Sequence, residues 1–224
     1  MINYNNHNIT AITYDNHHIK YVYGCGGNLV WSGDTPTPTG FKYILTLDDS
    51  SVVSAECDST SAITHDELSG YSATCVSAEV GDCVTELYSD GYTSCGAFCY
   101  YLKLSSVTLS DSVVVIGDYS FSNCSGLTSI DIPDSVTTIG DSAFYECSGM
   151  TSANIGSGVT FIGHFAFTHC TALTSITIEA PTPPRLANYV FDDTNDSPLL
   201  VPAGCVEAYK SAWPTYASRI QAIQ

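Results

Sequence analysis

The stretch Leu127–Gly149, LTSIDIPDSVTTIGDSAFYECSG, decides the fold, because its spacing returns on both sides of it without a gap. Phe121, Phe144 and Phe167 fall 23 residues apart, and the same offset links Cys124, Cys147 and Cys170, Ile116, Ile139 and Ile162, and Gly117, Gly140 and Gly163. Val113, Val136 and Val159 keep it, as do Leu127, Met150 and Leu173, and Ile132, Ile155 and Ile178. A chain that reuses one spacing at so many positions from Leu104 to Asp193 buries the same side of itself once per coil. The expectation is an α/β-type solenoid, mostly β, built of 23-residue coils.

Within one coil, Ile130 and Ile132 alternate with Ser129 and Asp131, the period of a strand with one buried face. Pro133 sits where a ladder donor is no longer needed, so the strand ends there and turns. Val136 and Ile139 point inward again from a second short extended segment. Gly140 is read as admitting a backbone conformation denied to other residues, and Asp141 or Ser142 as capping a helical turn that carries Ala143, Phe144 and Cys147. Each large inward side chain is worth roughly 1.5–3 kcal/mol when fully buried, and no coil can bury its set alone.

The register of Ile, Gly, Ala-Phe and Cys in SVTTIGDSAFYECSGMTSANIG resembles the BspA-like leucine-rich repeats, over roughly residues 77 to 224. That resemblance implies a solenoid and a role in adhesion or recognition, and it implies no chemistry.

Outward from the repeats, residues 1–31 hold a smaller repeat of about ten residues. Ile2, Tyr4, Asn6, His7 and Ile9 recur as Ile12, Tyr14, Asn16, His17 and Ile19, and a third pass ends at Trp31. Alternating apolar residues around Asn-rich and Gly-Gly turns predict a β-meander. Three such strands leave open edges, so the segment is expected to anchor on another chain through Ile2, Tyr4, Ile12, Tyr14 and Trp31. It is similar to short amino-terminal modules of tail and fibre proteins of bacteriophages that infect gut bacteria. Residues 32–40, SGDTPTPTG, read as an extended linker. Residues 41–76 read as a cap in which FKYILTL and SVVSAEC form a hairpin across Asp48–Ser50. The solenoid is placed at 77–194, with a degenerate first coil interrupted near Tyr88–Cys95. That insert carries Tyr88 and Tyr92, and an aromatic loop on a regular scaffold can recognise a partner. Residues 195–224 read as a helical cap with helices at Val206–Trp213 and Tyr216–Ile223, the second opened by Pro214.

Composition narrows the partners. The chain has 224 residues, with 6 Lys and Arg against 23 Asp and Glu, a net charge of −17. Between Tyr43 and Tyr209 the basic residues are Lys103 and Arg185, so a phosphate backbone or anionic lipid meets repulsion. Neither nucleic acid nor membrane insertion is expected. MINYNNHNITAITYDN lacks the basic start and apolar run of an export signal. The expectation is therefore either a trimmed leader or exposure by another route, such as a virus particle released by lysis.

Ten cysteines invite metal or disulfide readings. Cys124, Cys147 and Cys170 keep the repeat offset and are expected to stack inside as small apolar side chains. Cys75, Cys83, Cys95 and Cys99 lie in the irregular first coil, where a disulfide stays open and zinc spacing is missing. His164 and His169 stand where Asp141 and Glu146 stand one coil earlier, which places them in solvent. Asp192, Asp193 and Asp196 lack the Gly and closing Glu of a calcium loop. No GxSxG, HExxH or phosphate loop occurs, and neither an enzyme activity nor a cofactor is expected.

The outward strand positions Ser106 and Thr108, Ser129 and Asp131, Ser152 and Asn154, and Ser175 and Thr177 should stack into two columns, the one continuous regular surface. Such a ladder offers many weak hydrogen bonds to a partner but lacks the aromatic and Arg anchors that concentrate affinity. The sequence is read as a non-enzymatic virion protein, a bacteriophage fibre or decoration component anchored to other virion proteins through residues 1–31. It would present the solenoid to a host-surface protein or glycan, with self-association left open. The alternative is a bacterial cell-surface or secreted adhesin.

Overall fold

The phenylalanines that return once per coil lie one on another: Phe98, Phe121, Phe144, Phe167 and Phe191 stack with centroids 5.2, 5.2, 5.0 and 5.7 Å apart. That rise is close to the spacing of paired strands, so one coil climbs one strand width. The computed structural model describes residues 9–15, 18–24, 29–32, 41–56, 62–88 and 95–224. The linker, the insert at 89–94, Ile2, Tyr4, His7, His17 and Tyr92 lie outside the described residues.

β1 (Ile9–Asp15), β2 (His18–Gly24) and β3 (Leu29–Ser32) form the expected antiparallel meander, in which Ile12 pairs with Val22 and Val22 with Trp31. β4 (Phe41–Leu47) and β5 (Val52–Glu56) form the hairpin, turning through Ser50 at φ 66°. β6 (Ala62–Thr64) leads into the one-turn helix α1 (His65–Leu68). The coils then supply β7 (Cys75–Val80), β8 (Glu86–Tyr88), β9 (Ser106–Thr108), β10 (Val115–Ile116), β11 (Ser129–Ile132), β12 (Thr138–Ile139), β13 (Ser152–Ile155), β14 (Phe161–Ile162), β15 (Ser175–Ile178), β16 (Arg185–Leu186) and β17 (Leu199–Val201). α2 (Val206–Ala212) and β18 (Ile220–Ala222) close the chain.

Each coil is bonded to the next along three lines. On the first, β11, β13, β15, β17 and β18 form a parallel sheet whose register keeps the repeat offset, as in Ile132 opposite Ile155 opposite Ile178. On the second, the short strands run in the order β16-β14-β12-β10-β8-β6. The third line is where the expected helical turn fails to form. Ser142 and Glu146 sit at φ 54° and 58°, as do Tyr119 and Asn123 before them and Phe165 and His169 after, all in the left-handed region. A left-handed non-glycine residue costs roughly 1–2 kcal/mol, and it breaks any helix. It also turns alternate N–H groups toward the neighbouring coil: those of Ser142, Phe144 and Glu146 donate to the carbonyls of His164, Ala166 and Thr168 at 2.7, 2.8 and 3.0 Å. Inter-coil bonding has replaced intra-coil helix.

Gly140 also departs from the expectation. It is not left-handed; it is needed for space. A Cβ there would lie 2.4 Å from Asp118 Oδ1 and 2.6 Å from the Asp118 amide nitrogen, inside the preceding coil.

The core is the inward set of every coil. In the quoted stretch, Leu127, Ile130, Ile132, Val136, Ile139, Ala143, Phe144 and Cys147 are all buried. At the first end, β4 pairs antiparallel with β7 and β6 parallel with β8, so both sheets start covered. Buried Lys42 reaches Glu67 at 3.1 Å, and Tyr101, which meets Phe98 edge-on, donates its hydroxyl to the Leu68 carbonyl. At the other end the expected second helix is a 3₁₀ segment, Pro214–Arg219, followed by strand β18. The reason is the open edge of β17: pairing Leu199 with Ile220 satisfies backbone groups that a helix would leave exposed. Trp213 Nε1 donates to the Pro184 carbonyl at 2.9 Å, and Trp213 and Tyr216 close over Phe191, the last ring of the stack.

Candidate recognition surface

The strand face holds its expected columns. Ser129, Ser152 and Ser175 are in register, as are Asp131, Asn154 and Thr177, with Ser77 opposite Ser106 and Glu79 opposite Thr108 in the preceding sheet. Ser106, Thr108, Ser129 and Asp131 are exposed, and the later four are half-buried. The columns are not continuous, because the strand ladder is interrupted between β9 and β11, where Thr128 N–H to the Ser105 carbonyl at 3.3 Å joins the coils. Asn154 Oδ1 is buried here without a donor. Tyr88, at the end of β8, is 42% exposed.

Nor is the strand face the one regular surface, because the other two lines are equally periodic. Thr137 Oγ1 donates to the Val114 carbonyl and Thr160 Oγ1 to that of Thr137 at 3.1 Å. On the turn face, Asp118 Oδ1 accepts the N–H of Asp141 at 2.7 Å, Asp141 Oδ1 that of His164 at 2.7 Å, and His164 Nδ1 that of Asn188 at 3.2 Å. His164 is thus a rung of a carboxylate ladder, taking a neutral acceptor nitrogen where earlier coils use an anion. Likewise Asp134 Oδ1 accepts both the N–H and the Oγ–H of Ser157, and these bonds hold its carboxyl below the ordinary value of 3.8.

The cysteine column is buried as expected, and it does more than fill space. Cys124, Cys147 and Cys170 donate their thiols to the carbonyls of Phe98, Phe121 and Phe144 at 3.0, 3.1 and 3.1 Å. Burial pushes the Cys124 and Cys147 thiols far up, and that of Cys75 to about 12, so none of the three supplies a thiolate nucleophile. In the first coil Cys95 and Cys99 form a disulfide. His169 Nδ1 lies 3.0 Å from Asp193 Oδ2, and Asp192 Oδ1 accepts from the Tyr216 hydroxyl at 2.9 Å, so these acids serve separate partners. Among the described residues, no three of His, Cys, Asp and Glu converge as a metal would need, and no helix is long and apolar enough to cross a membrane.

Sequence reasoning missed an aromatic group on the turn face. Phe165 and Tyr189 are 40% and 56% exposed and stack at 5.2 Å with 14° between their planes. Tyr145 and His169 meet edge-on beside them at 5.4 Å. Between Tyr189 and the carboxy-terminal cap opens a cleft of about 440 Å³ lined by Asn188, Tyr189, Asp192, Trp213 and Tyr216. The signal was available: Tyr119, Phe165 and Tyr189 each stand two positions before a stacked phenylalanine, so aromatic residues recur in a second column beside the core one.

The BspA type leucine rich repeat region family matches residues 92–213 in six copies. Among solved structures, the chain is similar to a leucine-rich repeat protein from Bacteroides ovatus, at 19% identity and TM-score 0.41, covering 87% of this chain and 54% of that one. It is also similar to a leucine rich cell surface protein from Faecalibacterium prausnitzii, at 17% identity and TM-score 0.43, covering 76% of this chain and 52% of that one. The chain thus spans about half the length of these solved relatives. No curated protein matches. With the repeats matched over more than half its length and its coils stacked in their register, the chain belongs to the BspA-type leucine-rich repeat family.

Proposed function

We propose that this chain is a non-enzymatic recognition protein that presents its solenoid to a host surface, as a fibre or decoration component of a bacteriophage particle anchored through residues 1–31. The observation that carries recognition is the division between inside and outside. The interior is filled by one repeated apolar set with its thiols tied to carbonyls, while exposed aromatic rings collect on the turn face. Exposed aromatics on a rigid scaffold are the residues from which affinity is built.

A second setting, the bacterial cell surface, is favoured by the Cys95–Cys99 disulfide, since such bonds persist in oxidising surroundings outside the cytoplasm. An antibody raised against the full chain separates the two. Labelling of purified particles supports the virion setting, labelling of intact cells supports the surface setting, and protein confined to the cytosol overturns both. Recognition itself is tested by adding the fluorescent full chain to intact host cells, where saturable binding is expected and its absence refutes the reading.

A further inference from the structure

We infer that the cleft between Tyr189 and the carboxy-terminal cap is a binding site for an uncharged sugar ring; the inference rests on the recognition reading and names what one part of that surface takes. The left-handed column Tyr119, Ser142, Phe165, Tyr189 repeats once per coil, and its last two members, Phe165 and Tyr189, are exposed. A stack of rings on this column ends at Tyr189, one of whose faces is covered by Phe165 at 5.2 Å. The cap does not continue it. Trp213 and Tyr216 turn inward onto Phe191, so the rung beyond Tyr189 is open and becomes the cleft of about 440 Å³. That volume is in the range of small-molecule sites.

The chemistry of the walls selects the occupant. The face of an aromatic ring is negative and attracts polarised C–H groups, which one side of a pyranose ring presents. Around that face stand hydrogen-bonding groups suited to hydroxyls. Asp192 holds the Tyr216 hydroxyl on Oδ1 and has acceptor capacity left, and Asn188 brings an exposed side-chain amide to the rim. Asp193 and Asp196 line the adjoining cleft of about 560 Å³, which shares Asp192 and Tyr216, and the Arg219 guanidinium that also lines it is taken up by the Phe191 and Ser197 carbonyls and the Thr194 hydroxyl. Together with the net charge of −17 these acids repel uronic and sialic acids and phosphorylated ligands. An uncharged glycan satisfies both the ring face and the field.

The test titrates the full chain with lactose, maltose and N,N′-diacetylchitobiose, with digalacturonic acid as the acidic probe and a proline-rich peptide as the protein probe. Binding is read by saturation-transfer NMR and, with the other tryptophan removed by Trp31→Phe, by emission of Trp213, which lines the cleft. Tyr189→Asn removes the ring while suiting the left-handed backbone at φ 61°. It should weaken neutral-sugar binding at least about tenfold, with Tyr189→Phe within about threefold of wild type and Leu102→Ala, an exposed residue of the first coil, unchanged. Identical melting curves confirm that these variants fold. Failure of all three neutral disaccharides, equal binding by Tyr189→Asn, or binding of the acidic sugar or the peptide alone overturns the inference. If Tyr189→Asn still adheres to host cells as wild type does, recognition stands and the sugar site falls; if wild type does not adhere, the recognition reading falls by itself.

Discussion

Replacing Phe144 by alanine tests the shared interior most directly. The ring is fully buried, with Phe121 5.2 Å away on one face and Phe167 5.0 Å away on the other. Truncating a buried Phe to Ala costs about 3–5 kcal/mol, the spread depending on how far the site can collapse. Here collapse is resisted, because the coils on either side are held apart by three hydrogen-bonded lines at fixed rise. Two ring pairs, each worth about 0.5–1.5 kcal/mol beyond burial, are lost as well. The expected loss is therefore at the upper end, about 4–5 kcal/mol, a large share of the 5–15 kcal/mol that holds a domain folded. Urea unfolding followed by circular dichroism gives the total, while Trp213 emission, recorded in a Trp31→Phe background, follows the carboxy-terminal coils. In a stack coupled only between neighbours, a gap in the middle should separate the two transitions. A double-mutant cycle sharpens this: Phe121 with Phe144 should couple by about 0.5–1.5 kcal/mol and Phe98 with Phe167 by almost nothing. A loss under about 1 kcal/mol for Phe144→Ala, or equal coupling for both pairs, would refute the reasoning.

Three further outcomes follow from the ladders. Native Cys124, Cys147 and Cys170 should resist a thiol reagent until the chain unfolds, and modification of all three within the dead time under native conditions would contradict their burial. Asp134 has its folded pKa depressed by Ser157, so its contribution to stability is present above the ordinary 3.8 and lost as pH falls through the lower folded value. The melting temperature of Asp134→Asn should accordingly lie below wild type near neutrality and converge with it in acid; a constant gap across pH would exclude the bond. His164→Ala removes the acceptor for the Asn188 N–H and should cost about 1 kcal/mol, whereas His164→Asp restores the rung used in earlier coils and should keep most of it. Equal losses in the two variants would show that the rung carries no weight.

What could be read from the sequence was whatever the period controls. Phe, Cys, Ile and Leu at the repeat offset gave the stack, the register of β11, β13 and β15 and the polar columns between them. What could not be read was any feature that depends on the distance between coils. Gly140 looked like a residue chosen for its torsion angle, but the constraint on it is Asp118 of the coil before, a residue distant in sequence. Ser142 and Glu146 looked helical because neither is a residue expected at positive φ; their conformation is fixed by N–H groups bonding His164 and Thr168 one coil on. Tyr216–Ile223 has apolar spacing that suits a helix, and the free edge of β17 decided otherwise. In each case a bond between coils overrode a local preference.

The same bonds sort structural polar residues from those left for recognition. Hydroxyls are abundant outside the solenoid, and many are already engaged: Thr151 Oγ1 donates to the Thr128 carbonyl at 3.0 Å and Thr174 Oγ1 to that of Thr151 at 2.9 Å. A Ser- and Thr-rich exterior is therefore partly the mortar of the stack, and its side chains cannot change without loosening neighbouring coils. The side chains of Phe165 and Tyr189 enter no such bond among the described residues; they meet each other, the His164 ring and solvent. An exposed apolar ring of this size brings no stability comparable to that of Phe144, so replacing both Phe165 and Tyr189 by polar residues should cost no more than their one stacked pair holds, about 0.5–1.5 kcal/mol. A larger loss on urea unfolding would make them part of the scaffold and leave the turn face without its recognition residues.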